Sequence, residues 1–269
     1  MFQNLRKSKK LVLIAMACAT FAIAGCGSDT TKTTADNGTA VTWSETFDGT
    51  KTDFVVKSAP THAVSMSQAT TEMMLQLGLE DKMAGTAFKE EEIYPPLQAA
   101  YDKVKVLSDK WPSYEVFMSV KPDFATGWPD SFSKRAIPAD KMIAQKVNIW
   151  LPESMLSTKA DLETNFNDMI KLGEIFGVKP KAEEWVAGQR KTLAAIQDKL
   201  KDLPRKRIFI YDSEDGQPFT AFEGYTTNIL KLIGADNVMS GLGVDKTWAK
   251  GSWETVIAQN PDYIIIADY

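Results

Sequence analysis

The chain has 269 residues, 44% of them hydrophobic and 25% charged, with a formal net charge of −4. This balance excludes a wholly disordered chain, leaves room for two modest lobes, and gives nucleic acid no basic surface to bind. At the N-terminus Arg6, Lys7, Lys9 and Lys10 precede an uncharged apolar run from Leu11 to Ile23, the layout of a secretory signal. A helix of that run reaches about 20 Å, against a hydrocarbon core of ~30 Å, so it is too short for a lasting membrane span.

The run closes on Ile23-Ala24-Gly25-Cys26, which resembles the lipobox of bacterial lipoproteins. The resemblance implies that residues 1–25 are a lipoprotein signal peptide and that Cys26, acylated, becomes the mature N-terminus. The other cysteine, Cys18, lies in the removed segment, so no disulfide framework is expected. Cleavage removes four basic residues and takes the formal charge to about −8. Residues 26–45 are expected to form a flexible tether, because Gly27 to Ala40 is dominated by Ser, Thr, Asp, Gly and Lys and buries little.

Beyond the tether, short apolar runs rich in β-branched or aromatic residues alternate with helical patterns: Val104 to Leu107, Val147 to Leu151, Ile208 to Tyr211 and Tyr263 to Ala267. The alternation predicts α/β layering. Between the second and third runs, Lys181 to Leu203 reads as one long helix, with Trp185, Leu193, Ile196, Leu200 and Leu203 on a packing face, Pro180 in its first turn and Pro204 beyond its end. The expected organisation is an N-terminal α/β lobe over 46–160, a connecting helical segment over 161–204 and a C-terminal α/β lobe over 205–269.

An internal repeat supports two similar lobes. Ala69-Thr70-Thr71-Glu72-Met73-Met74, continuing to Gly78 and Gly85, recurs 156 residues later as Tyr225-Thr226-Thr227-Asn228-Ile229-Leu230, continuing to Gly234 and Gly241. A second pair follows each copy. Ser113-Tyr114-Glu115 before Lys121-Pro122-Asp123 corresponds to Ser252-Trp253-Glu254 before Asn260-Pro261-Asp262, at an offset of 139 residues. Each copy reads as a helix, a loop, and a Ser-capped helix ending at a Pro-Asp turn that feeds a strand. The first copy carries seventeen extra residues around Phe88 to Asp109.

These motifs, with Pro218-Phe219-Thr220 after a strand, Ile233-Gly234-Ala235 and Trp248 before Ser252, resemble in their order the ferric-siderophore and cobalamin class of ABC-transporter substrate-binding proteins. The resemblance runs from about Lys57 to the last residue. It implies two α/β lobes joined by one long helix, a ligand held between them, and one carboxylate per lobe docking on the membrane permease, here Glu115 and Glu254. In that family further helices and strands follow the last strand pattern, so the C-terminal lobe is expected to be incomplete, with an uncovered sheet edge.

Loops that follow strand ends face such a cleft. They offer Met66, Ser67, Gln68, Trp111 and Trp128 from the first lobe, and Phe219, Thr220, Tyr225 and Trp248 from the second. Aromatic side chains among them suit a bulky chelate. No direct metal site is expected, since His62 is the one histidine and transition-metal sites usually recruit several. No nucleophile elbow, phosphate loop or mature thiol supports catalysis. No cofactor is expected apart from the cargo. Glu90-Glu91-Glu92 reads as a charged face and Asp212 to Gly216 as a solvated loop. With Arg135 the one arginine near a cleft loop, a ferric siderophore of low negative charge, such as a hydroxamate, is the expected cargo. Corrinoid and haem are alternatives within the same importer class, and a surface receptor or sensor is the alternative outside it. The expectation is therefore a monomeric, membrane-anchored extracytoplasmic binding protein that serves an ABC permease.

Overall fold

The structure, a computed structural model, describes residues 40–267. The expected signal peptide, Cys26 and the expected tether up to residue 39 lie outside the described residues. Strands β1 (Val41–Phe47) and β2 (Thr50–Val56) pair antiparallel. They turn through Asp48 and Gly49, both at positive φ, the backbone that a two-residue hairpin favours. β1 begins inside the stretch expected as tether, which corrects that boundary for residues 41–45. Trp43 anchors it by donating its indole N–H to the Ile149 carbonyl at 2.7 Å and stacking on Phe54 at 5.5 Å.

The first lobe follows the order β3 (Ala63–Met66), α1 (Gln68–Gln76), β4 (Met83–Ala87), α2 (Gln98–Tyr101), β5 (Val106–Ser108), α3 (Tyr114–Ser119), β6 (Phe124–Gly127), α4 (Ala139–Ala144) and β7 (Asn148–Ile149). Its sheet is parallel, in the order β5-β4-β3-β6-β7. Helices cover the sheet, as an all-parallel arrangement requires. Helix α5 (Leu162–Ile175) packs Phe166, Met169, Leu172 and Ile175 into the same core as Leu75, Leu77 and Phe124, so it belongs to this lobe. Helix α6 (Lys179–Leu200) then leads to the second lobe.

The second lobe contains β8 (Lys206–Tyr211), β9 (Ser213–Glu214), β10 (Pro218–Ala221), α7 (Tyr225–Leu232), β11 (Ala235–Asn237), β12 (Trp248–Lys250), α8 (Trp253–Gln259) and β13 (Tyr263–Ile266). A parallel sheet β11-β8-β13 stands beside an antiparallel sheet β12-β10-β9. The repeat is visible in three dimensions. In the first lobe Asp123 accepts from the Thr61 and His62 N–H groups at 2.8 and 3.0 Å, tying the turn before β6 to the start of β3. In the second, Asp262 accepts from the Arg207 N–H at 2.8 Å, tying the turn before β13 to β8. Lys121 and Asn260, two residues earlier, both take the left-handed backbone.

Helix α6 differs from its expected packing. Ala182 and Val186 are buried and Trp185 packs on the first core, but Ile196 is exposed and Leu203 lies past the helix end, also exposed. The apolar spacing predicts one continuous packing face, whereas only the N-terminal half packs into a core. Near the other end Gln197 donates to the Leu232 carbonyl at 3.4 Å, so the middle of the helix spans from one lobe to the other.

β13 forms an edge of its sheet, and Ile264, Ile265 and Ile266 are 54%, 46% and 66% exposed.

Candidate ligand-binding cleft

Helices α1 and α7, the equivalent helices of the repeat, bring their N-terminal turns to one cavity between the lobes. Ser67 caps α1, its hydroxyl accepting from the Thr70 N–H at 3.2 Å. Gly224 precedes α7 at φ +86, where a Cβ would lie 2.8 Å from the Thr247 methyl and 3.2 Å from the Ser157 carbonyl. Only glycine fits so close an approach of the two lobes. Asn228 of α7 completes the seam by donating to the Ala160 carbonyl at 2.8 Å.

The cavity holds ≈ 340 Å³, within the range of small-molecule sites. Ala69 and Met73 of α1, Trp128 after β6, Ser154, Met155 and Asn165 form one wall. Glu223, Tyr225, Thr226, Thr247 and Trp248 form the other. Trp248 stacks on Phe219 with ring centroids 6.1 Å apart, which fixes the indole plane. Trp128 donates its indole N–H to Glu90 at 3.1 Å, and burial pushes the Glu90 carboxyl up. Glu223 is the one charged lining residue, and it accepts from Ser240 and the Gly241 N–H at 2.7–3.1 Å.

Of the nine residues expected at the ligand, the structure brings Trp128, Tyr225 and Trp248 to the cavity wall. Met66 and Ser67 are fully buried, Met66 among Phe117, Phe132 and Ile149 and Ser67 in a hydroxyl network with Thr70. Thr220 is likewise buried and donates to the Ile210 carbonyl. These three stand behind the wall because their strand ends turn the side chains inward. Gln68 is engaged elsewhere: its carbonyl oxygen accepts from the Glu90 and Glu91 N–H groups at 2.9 and 2.7 Å. The acidic run is thus a pinned loop beside Trp128 rather than a plain charged face. Trp111 stacks on Phe88 at 4.7 Å and donates to the Met66 carbonyl at 3.1 Å, and Phe219 supports Trp248 from outside the lining. Arg135 pairs with Asp130 at 2.6 Å on the surface and does not line the cavity.

Behind the cavity, Asp168 of α5 accepts from the Glu153 and Ser154 N–H groups at 2.9 Å each, fixing the turn that carries Met155. Burial pushes the Asp168 carboxyl up. Glu45 of β1 accepts from the Leu151 N–H at 3.0 Å. Burial, the dominant cause, raises its pKa to about 7, with a further push from Asp168. Burial and the same Asp168 charge also raise the Tyr225 phenol, which keeps it protonated as a hydrogen-bond donor.

A family profile for periplasmic binding proteins matches residues 64–269. The chain belongs to that family. A crystal structure of a periplasmic binding protein from Veillonella parvula is 96% identical, with a TM-score of 0.85 over 86% of this chain and 78% of that one. An uncharacterized ABC transporter substrate-binding lipoprotein of Bacillus subtilis, YvrC, is 26% identical over 97% of this chain and 82% of its own length. A protein of an ABC-type Fe3+-hydroxamate transport system from Saccharomonospora viridis shares the fold at 19% identity, with a TM-score of 0.66 over 83% of this chain and 79% of that one. This family member is accordingly a substrate-binding protein of the ABC-transporter class, with the two-lobed α/β fold expected from its sequence. Among the described residues no helix is long and apolar enough to cross a membrane.

Proposed function

We propose that this binding protein captures a ferric chelate of low negative charge, a hydroxamate type best of all, in the cleft between its lobes and delivers it to a membrane permease. The supporting observation is the lining itself. Trp128, Tyr225 and Trp248 supply aromatic surface from both lobes, and among the described residues neither lysine nor arginine lines the cavity. A trianionic catecholate or citrate complex entering such a site would lose water without gaining a cationic partner. Haem meets the same objection through its two propionates, and a protonated Tyr225 is a poor iron ligand. Corrinoid is the second reading, favoured by broad aromatic surface on both walls.

In this reading Glu115 and Glu254 are the permease contacts, the chain acts as a monomer in transport rather than catalysis, and Cys26 carries the lipid that holds it outside the membrane. Titration of the purified chain with ferric hydroxamates, ferric catecholates, haem and cobinamide, followed by tryptophan fluorescence with an inner-filter control, tests the cargo. Saturable binding confined to ferric hydroxamates is the expected result, and preference for a catecholate or haem would overturn the charge argument. Trp248→Ala is expected to weaken binding about tenfold or more, since one wall loses its flat contact. An unchanged Kd would remove Trp248 from the site.

A further inference from the structure

The cleft does not end at its own walls. A second groove of ≈ 600 Å³ shares Ala69, Met73 and Asn165 with it and runs on over the first lobe. Three helices and one turn build it. Ala69, Glu72, Met73 and Gln76 form a single stripe of α1, at spacings that place them on one face of a helix. Asn165 and Met169 come from α5, Trp185 and Gln189 from α6, and Tyr94 with Leu97 from the turn before α2. The groove's rim is fixed in place: the Glu72 carboxylate accepts from the Gln68 amide at 2.9 Å and from the Tyr94 N–H at 3.1 Å. Arg190, next to Gln189, is held away by its ion pair with Glu163.

The groove's polar chemistry is narrow. The side-chain amides of Gln76, Asn165 and Gln189 have no hydrogen-bond partner among the described residues, and each offers a donor and an acceptor. Glu72 is the one charged lining residue, so the groove, like the cleft, carries no positive side chain. Three such amides, in a groove that Trp185 and Tyr94 also line, complement an extended, uncharged or cationic arm that itself bears amide groups.

We infer that this groove is a second subsite, continuous with the cleft, that takes a carboxamide-bearing arm of the bound chelate. The inference rests on the cleft being the ligand site. It divides the cargo: the metal-bearing body sits between Trp128 and Trp248, and the arm lies along α1 toward Gln76 and Gln189. A linear trihydroxamate with amides in its chain and a corrinoid with amide side chains share this chemistry.

Two pairs of probes separate the sources in calorimetric titration of the full chain in detergent micelles. The first pair is ferrioxamine B and tris(acetohydroxamato)iron, which have the same iron coordination with and without the amide chain. The second is dicyanocobinamide and dicyanocobyrinic acid heptamethyl ester, in which esters replace the amides. Within one pair the amide-bearing probe is expected to bind at least tenfold more tightly. Gln76→Leu with Gln189→Leu, the first half-buried and the second exposed, is expected to erase most of that difference while leaving the armless probe within about twofold. The pair that behaves so names the source.

A difference that survives both substitutions, or a loss equal for the two members of a pair, overturns the subsite. If Trp128→Ala still abolishes binding in that case, the cleft reading stands without it. Failure of all four probes to bind the folded chain overturns both.

Discussion

Glu115→Ala combined with Glu254→Ala is expected to reduce permease-dependent uptake at least tenfold while leaving ligand affinity within about twofold. Each carboxylate sits in the first turn of a short helix capped by a serine, α3 by Ser113 and α8 by Ser252, and both are exposed. Neither lines the cleft, so neither has a reason to touch cargo. The Glu115 carboxyl is held below the usual carboxylate range, chiefly by its own backbone N–H and then by the Ser113 hydroxyl. It therefore stays ionised throughout the physiological range. If the two charges, at equivalent places on the two lobes, hold a basic partner together as proposed, each single variant is expected to lose less than the pair. Uptake that survives loss of both would overturn the docking role and favour a receptor that hands its ligand to a signalling partner.

Glu45→Gln is expected to stabilise the fold by as much as ~3 kcal/mol at pH 8 and by almost nothing at pH 4. The Glu45 pKa stands at about 7 against an ordinary 4.5. Below pH 4.5 the group is protonated in folded and unfolded chains alike and costs nothing. Between there and pH 7 the unfolded chain ionises first, so stability falls as pH rises, and above pH 7 the full cost is present. Glutamine keeps an acceptor for the Leu151 N–H and removes the charge. Urea melts at pH 4, 6 and 8 measure the slope. An equal slope in wild type and variant would place the titration elsewhere, with Asp168 the first group to examine.

Much of the architecture was legible because it rests on local chemistry. The Pro-Asp turns announce where β6 and β13 begin, and each aspartate proves to close on the strand beside it. Ser113 and Ser252 mark helix starts that both then cap. The start of β1 was hidden by its surroundings: Val41, Trp43 and Phe47 follow a polar stretch, and pairing with β2 makes them a strand that Trp43 ties to the Ile149 carbonyl.

The site was legible in part. Loops at strand ends pointed to Trp128, Tyr225 and Trp248, which line the cavity, but the same rule admits Met66, Ser67 and Thr220, since it does not say which way a side chain turns. Ser154, Met155 and Asn165 carried no signal, because packing of α5 against the first lobe, not any local pattern, brings them to the wall. Asp168 had none either. Its burial and its grip on the 153–155 turn exist only in the folded chain.

The central claim is that one ligand bridges two walls from the two lobes. Hydrogen exchange of the purified chain, with and without a saturating ferric hydroxamate, tests it most directly. Slowed exchange is expected together in the segments around Trp128 and Met155 and in those around Tyr225 and Trp248, with little change at α3 and α8. Protection confined to one lobe, or centred on the Glu115 and Glu254 helices, would contradict the account.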